Sequence, residues 1–387
     1  MNTLFEYIKW RGDLSFEQSP LNEVDNLILS KLSYLPFDQA LSTDFSQRFI
    51  LREVGQQVLD QLQDPQGSNG LIVLFDQDPL LLEAMVQSRR FGELEVFGFR
   101  NHVDPESQKQ ICGMTIRLAE DLYFVSFRGT DNTFVGWKED FNMTLQAVVP
   151  SQLEAVRYVD ELLSQIEGDI YVGGHSKGGN LAIYAGVFVQ QNYAQRVLKI
   201  FSNDGPGFHS SVLASEKYQQ NRHKIYAYIP EESIVGLLFE HDANITIIKS
   251  KESMFWQHDP YNWVVEQTQF VHVSQLSRSS RFIDTTIKQW AEGLEPLKQR
   301  QTIDVLFEIL NATEVTSLSQ ITEDWFKKAR MMIGAYSQYD KETRKMMMEL
   351  LGSLFSTGRK NLSILRKKNE ETIEQENDVQ VLETPKK

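Results

Sequence analysis

An α/β fold with a mainly parallel central sheet is predicted by three features of the sequence. Strand-like and helix-like runs alternate through the middle of the chain, which places helices on both faces of a sheet. One strand-like run passes through glycines straight into a helix-like run, in DIYVGGHSKGGNLAIYAG from Asp169 to Gly186. The 387 residues are 41% hydrophobic and 11% aromatic, enough for a substantial core.

The elements follow in order. In PLNEVDNLILSKLSY, residues 20–34, Val24, Leu27, Ile28 and Leu32 recur at helical spacing. Residues 44–63 and 79–90 have the same texture, so the first ninety residues are mostly helical. Three strand-like runs then start at Leu94, Gln110 and Leu122, with short polar breaks between them, as in a hairpin meander. A helix is predicted over 151–166, a strand over 169–173, and a helix from about Lys177. Further strands are VLKIFSN at 197–203, KIYAYIP at 224–230 and NITIIKS at 244–250. From about residue 280 the strands stop. QRQTIDVLFEIL, DWFKKARMMIGAY and ETRKMMMELLGSLF are predicted as three helices, and the tail from Arg366 is charged, aperiodic and expected to be disordered. The implied organisation is an α/β domain with N-terminal helices over 1–280, a helical region over 281–365 and a tail over 366–387.

Composition narrows the function classes. The formal net charge of −14 argues against nucleic acid as a partner. A single cysteine, Cys112, excludes a disulfide framework and thiolate metal clusters. The first eighteen residues interrupt their apolar positions with charges and contain no apolar h-region, so no secretory signal is expected. No run of 18 apolar residues suggests a membrane span. A cytoplasmic protein is the expectation.

The chemistry concentrates at Gly174-His175-Ser176-Lys177-Gly178, a G-x-S-x-G sequence between a strand and a helix. Sites of open α/β sheets form beyond the carboxyl ends of the strands, where Ser176 falls. Glycines at 174 and 178 allow the close backbone approach that a sharp strand–helix elbow demands. The N–H of Lys177, at the helix start, would face a developing oxyanion. A serine hydroxyl needs a base. His258, in MFWQHDPYNW, is the first histidine after the last strand; the alternative is a surface-loop histidine with Trp256 and Trp263 as ordinary core. His175 is expected to point away from the site. The base needs a carboxylate to fix its tautomer. Glu232, after KIYAYIP, is the first choice, then Asp204 in DGPG, then Glu231. Asp204 also fits a plain turn. At the end of YFVSFRG, Thr130 could supply a second oxyanion donor, with Gly129 giving it room. No histidine pair has metal-ligand spacing and H-E-x-x-H is absent, so no metal or other cofactor is implied.

These stretches resemble those of class 3 lipases. FRGTDNTFVGWKEDF is similar to their oxyanion segment, matched here by Phe127, Arg128, Gly129, Thr130, Trp137 and Asp140. GGHSKGGNLA resembles their nucleophile turn, and IPEESIV their acid-bearing strand end. A closer resemblance is to an uncharacterised bacterial family of lipase-like α/β-hydrolases. Its members share N-E-V-D-x-L-I-L-S-x-L-S-Y (Asn22 to Tyr34), S-I-V-G-x-L-x-E-H (Ser233 to His241) and Q-H-D-P (Gln257 to Pro260). The similarity spans roughly residues 1–265 and implies an α/β-hydrolase fold with serine chemistry. Three departures weaken a triglyceride lipase more than a serine hydrolase. Lys177 stands where leucine is usual, glutamate stands where aspartate is usual at the acid position, and no secretion signal is seen.

The expected function is acyl-ester hydrolysis through an acyl-enzyme on a small-molecule or lipid ester. The alternatives are a thioesterase, peptidase or acyltransferase on the same residues, or a binding protein on a degenerate hydrolase fold. Between Trp325 and Lys368, eleven basic residues face three acidic ones, a net +8 in an acidic chain. That window suggests either a helical cap or peripheral contact with an anionic membrane.

Overall fold

The computed structural model describes residues 2–63, 75–104, 109–130, 148–293 and 341–366, apart from 234, 239, 242 and 243. Eight strands form one sheet in simple chain order. They are β1 (Phe49–Ile50), β2 (Glu95–Asp104), β3 (Lys109–Ala119), β4 (Leu122–Phe127), β5 (Asp169–His175), β6 (Val197–Asn203), β7 (Ile225–Pro230) and β8 (Asn244–Ile248). β2 to β4 pair antiparallel as the expected meander, β1 joins antiparallel to β2 at the edge, and β4 to β8 pair parallel. The result is an α/β-hydrolase fold: a mostly parallel sheet flanked by helices, with the parallel strand ends gathered at one edge.

Alternating side chains of the strands feed two cores. Phe124 of β4 joins one cluster, while Tyr123, Val125 and Phe127 join the other, as a period of two requires. The first cluster is built on α1 (Leu4–Arg11), α2 (Glu23–Leu32), α3 (Leu51–Gln63) and α4 (Asp78–Gln87). The second is built on α5 (Pro150–Gln165) and α6 (Lys177–Phe188). The helical pattern read from residue 44 begins later in the structure, at Leu51. Phe49 and Ile50 instead pair with Val96 and Glu95 at the sheet edge.

α2 bears most directly on the site. Asn22 caps it: its side chain accepts from the Val24 and Asp25 amides, and Asp25 accepts in return from the Asn22 N–H. Every residue from Val24 to Leu32 is buried, the polar ones included. Buried polar groups need partners, and each finds one. Asp25 takes a two-pronged pair from Arg90 at 2.8 and 2.6 Å. Lys31 Nζ lies 2.9 Å from Asp78 Oδ1. Asn26 exchanges hydrogen bonds with Asn203 at the end of β6. Ser126 of β4 donates to Ser33 Oγ at 2.9 Å. α2 is thus fastened by polar contacts beneath the carboxyl ends of the central strands.

Toward the C-terminus, α7 (Arg278–Glu292) starts before the expected boundary at 280 and pairs with α8 (Lys341–Arg366). Trp290 Nε1 donates to Ser353 Oγ at 2.8 Å, and Asn361 Nδ2 to Gln289 Oε1 at 3.0 Å. α8 matches the helix expected from ETRKMMMELLGSLF. The helices expected from QRQTIDVLFEIL and DWFKKARMMIGAY, the tail from 367, and the basic window outside 341–366 lie beyond the described residues. Among the described residues, no helix is long and apolar enough to cross a membrane.

Candidate active site

The turn after β5 is as tight as its glycines suggest. A Cβ on Gly174 would collide with the Gly178 backbone and the Phe127 carbonyl, and a Cβ on Gly178 would collide with that same carbonyl. Between them Ser176 is held at φ 58°, ψ −136°, a conformation L-residues rarely adopt. Its N–H donates to Asn203 O at 2.9 Å, tying the turn to the end of β6. Its carbonyl accepts from Gly179 N–H at 2.8 Å as α6 begins. The side chain is thereby lifted off the strand end into the open.

Two further side chains reach it from elsewhere in the sheet. His258 closes a short helical turn, Met254–His258, that follows β8. Its Nε2 lies 3.0 Å from Ser176 Oγ. Its Nδ1 lies 2.7 Å from Asp204 Oδ2, so the ring is held at both nitrogens. Asp204 follows β6, is fully buried, and sits at φ 51° with its N–H donating to Tyr228 O at 2.8 Å. Its second oxygen, Oδ1, accepts from Ser233 Oγ at 2.5 Å, and Ser233 Oγ accepts in turn from Gly236 N–H at 2.9 Å. The hydrogen bonds therefore converge on Asp204: Gly236 N–H donates to Ser233 and Ser233 to Asp204 from one side, while Ser176 Oγ donates to His258 Nε2 and His258 Nδ1–H to Asp204 from the other.

Of the carboxylates weighed above, the structure sets Asp204, not Glu232, beside the imidazole. The Glu232 carboxylate lies against Ser279, whose Oγ donates to Oε1 at 3.2 Å, and its N–H donates to Gln257 Oε1 at 2.8 Å. The Glu231 N–H pairs with Ile248 O at 2.9 Å, continuing the sheet. Both glutamates follow a strand end, yet it is Asp204, in a turn the sequence explains without chemistry, that meets the imidazole.

One more expectation is revised. His175 does not point away. Its ring packs 4.7 Å from that of His258 and its Nε2 lies 2.8 Å from the His258 carbonyl. Burial, followed by the neighbouring His258 and Lys31, pulls its pKa well below the usual histidine value, so it stays neutral. Of the two tryptophans flanking His258, Trp263 is core, donating to Gln257 O at 2.8 Å, whereas Trp256 is 65% exposed.

At the end of β4, Gly129 packs so closely on the turn that a Cβ there would fall 2.9 Å from Ser176 Cβ. Thr130 follows it, and the Lys177 N–H opens α6 beside Ser176. The Lys177 side chain is buried and does not stand exposed beside the elbow. Trp137 and Asp140 lie outside the described residues. Ser233 and Tyr34 were visible only as letters in shared motifs, with no local pattern to assign them a role. Among the described residues, no group of three His, Cys, Asp or Glu side chains could hold a metal.

Ser233→Ala should reveal the hold on Asp204. A hydrogen bond to a charged group is worth about 1.5–3 kcal/mol, so kcat for an acyl ester is expected to fall roughly tenfold or more with KM little changed. Steady-state kinetics of the folded variant checks this.

A family model described as Mbeg1-like matches residues 85–308, more than half of the chain. Among solved structures, a native Rhizomucor miehei lipase–propeptide complex matches at 16% identity and a TM-score of 0.33, covering 43% of this chain and 58% of that one. A crystal structure of M37 lipase matches at 16% identity and a TM-score of 0.31, covering 42% of this chain and 62% of that one. This chain therefore spans less than two thirds of the length of those lipases. No curated protein matches the sequence.

Proposed function

The chain belongs to the Mbeg1-like family, and from that premise we propose that it is a lipase-like serine hydrolase that cleaves acyl esters through an acyl-enzyme. The observation that supports this most is the continuous contact from Ser176 Oγ through both nitrogens of His258 to the buried Asp204, with Ser176 on a strained strand–helix turn.

Ser176 Oγ attacks the acyl carbonyl carbon while His258 Nε2 takes the hydroxyl proton. Asp204, bound to Nδ1, fixes the tautomer in which Nε2 can accept that proton, and it balances the imidazolium that forms. The carbonyl oxygen becomes an oxyanion, to which the N–H groups of Lys177 and Thr130 donate. Such a donor contributes roughly 3–4 kcal/mol to lowering the barrier. The tetrahedral adduct collapses, its bond to the alcohol oxygen breaks, and His258 returns the proton to that oxygen. Water, deprotonated by the same imidazole, then attacks the acyl-enzyme, releasing the acid and restoring Ser176. No step needs a cofactor.

Labelling by a fluorophosphonate, followed by a panel of acyl esters, thioesters and amides, tests the reading. Covalent attachment at Ser176 with ester turnover is the expected result. Folded protein with neither labelling nor turnover would identify a binding protein instead. A lipid ester at an anionic membrane suits the basic window over 325–368. Co-sedimentation with anionic vesicles is accordingly expected at low salt, weakening as salt rises; protein that stays in the supernatant at low salt assigns that region to a cap.

A further inference from the structure

His175 and Tyr34 take no part in the steps above, yet both are buried against the residues that do. A carbonyl oxygen can only accept, so the 2.8 Å contact between His175 Nε2 and His258 O requires the proton on Nε2. That leaves Nδ1 as an acceptor, and Tyr34 Oη lies 3.0 Å from it. The same hydroxyl lies 3.1 Å from the His175 carbonyl and accepts from Gly129 N–H at 3.1 Å. One chain of hydrogen bonds thus runs from the oxyanion strand end, through Tyr34 and His175, to the backbone of His258.

The surroundings hold this chain rigid. Lys31 Nζ sits 3.8 Å above the Tyr34 ring and 3.7 Å above that of Phe75, while paired with Asp78. Tyr261, three residues beyond His258, donates to the same Asp78 at 2.6 Å. The segment carrying the base is therefore fastened to the N-terminal helices at Tyr261 and to the nucleophile turn at its own carbonyl.

We propose that Tyr34 and His175 are positioning residues that lock the His258 segment, the Ser176 turn and the Gly129–Thr130 strand end into one hydrogen-bonded unit. The proposal rests on the serine hydrolase reading. The neutral state of His175 is part of the device, because a charged ring 4.7 Å from His258 would oppose the positive charge that His258 gains in the reaction. Displacing a reacting group by about 1 Å can cost a hundredfold in rate, and these are the contacts that prevent it.

The experiment compares the second-order rate of fluorophosphonate labelling, and kcat and KM for an acyl ester, in Tyr34→Phe, His175→Leu and His175→Gln. Each is measured well below its melting midpoint. Tyr34→Phe is expected to slow labelling and kcat about tenfold and His175→Leu about a hundredfold, with KM nearly constant. His175→Gln, whose amide can still donate to the His258 carbonyl, should recover to within about tenfold of the parent. Tyr7→Phe is the control: it removes another buried hydroxyl, bound to Asp25 at 2.8 Å, and should cost stability while leaving labelling unchanged. If the parent protein labels normally and folded Tyr34→Phe and His175→Leu keep its rate, the proposal is overturned while the serine hydrolase reading stands. An equal loss in Tyr7→Phe would reassign the effect to general loosening and also overturns it. A parent protein that does not label overturns both. Should His175→Leu fail to fold, the isosteric Tyr34→Phe and the His175→Gln pair decide alone.

Discussion

Ser176→Ala is expected to abolish fluorophosphonate labelling and to lower ester turnover by about a millionfold, the scale seen when a triad serine is removed. Its melting temperature should barely move, because alanine deletes only a hydroxyl that faces the open site. Alanine keeps the backbone strain at φ 58° that serine bears. Glycine does not, since positive φ costs it nothing. Ser176→Gly should therefore be as inactive as Ser176→Ala and more stable than it by about 1 kcal/mol, the lower end of what such strain stores. Active-site labelling followed by mass spectrometry, with thermal denaturation of both variants, checks the two halves separately. Label retained on the alanine variant removes Ser176 from the mechanism, and a glycine variant less stable than the alanine one removes the strain argument.

Asp204→Asn should lower kcat by about 10⁴-fold, while Glu232→Gln should stay within a few-fold of the parent. The carboxylate of Asp204 accepts from His258 Nδ1–H and so leaves Nε2 free to take the serine proton. An amide nitrogen turned toward Nδ1 favours the opposite tautomer, with the proton on Nε2, which cannot act as a base. Ser233 compounds the effect, because its hydroxyl already donates to Oδ1. The Glu232 carboxylate instead accepts from Ser279 through Oε1. Comparable losses in the two variants would mean that the acid is shared or misassigned.

Some of this was legible in the sequence because it is local. Strand formers, paired glycines, one serine and a helix pattern within Asp169 to Gly186 fix the turn, since only glycine survives the backbone contacts made at Gly174 and Gly178. His258 was legible from chain order alone, as the first histidine beyond the last strand of a sheet whose strands follow one another in sequence. The acid was not. Asp204 and Glu232 both sit just past a strand, and the choice depends on a hydrogen bond from the Asp204 amide to Tyr228 on the neighbouring strand, a contact without a local signature. His175 misled for a similar reason. Its outward strand-end position says nothing of a segment, eighty residues later, that folds across it.

The full burial of α2 changes where the catalytic unit begins. The stretch matched by the family model starts at residue 85, some fifty residues after Tyr34. A protein trimmed to that stretch would keep serine, histidine and aspartate and lose the floor under them: Asn26 beneath Asn203, Ser33 beneath Ser126, and the phenol that binds the Gly129 amide. Each of those strand-end groups would then face water or an empty space, and the turn would lose its reference points in the sheet.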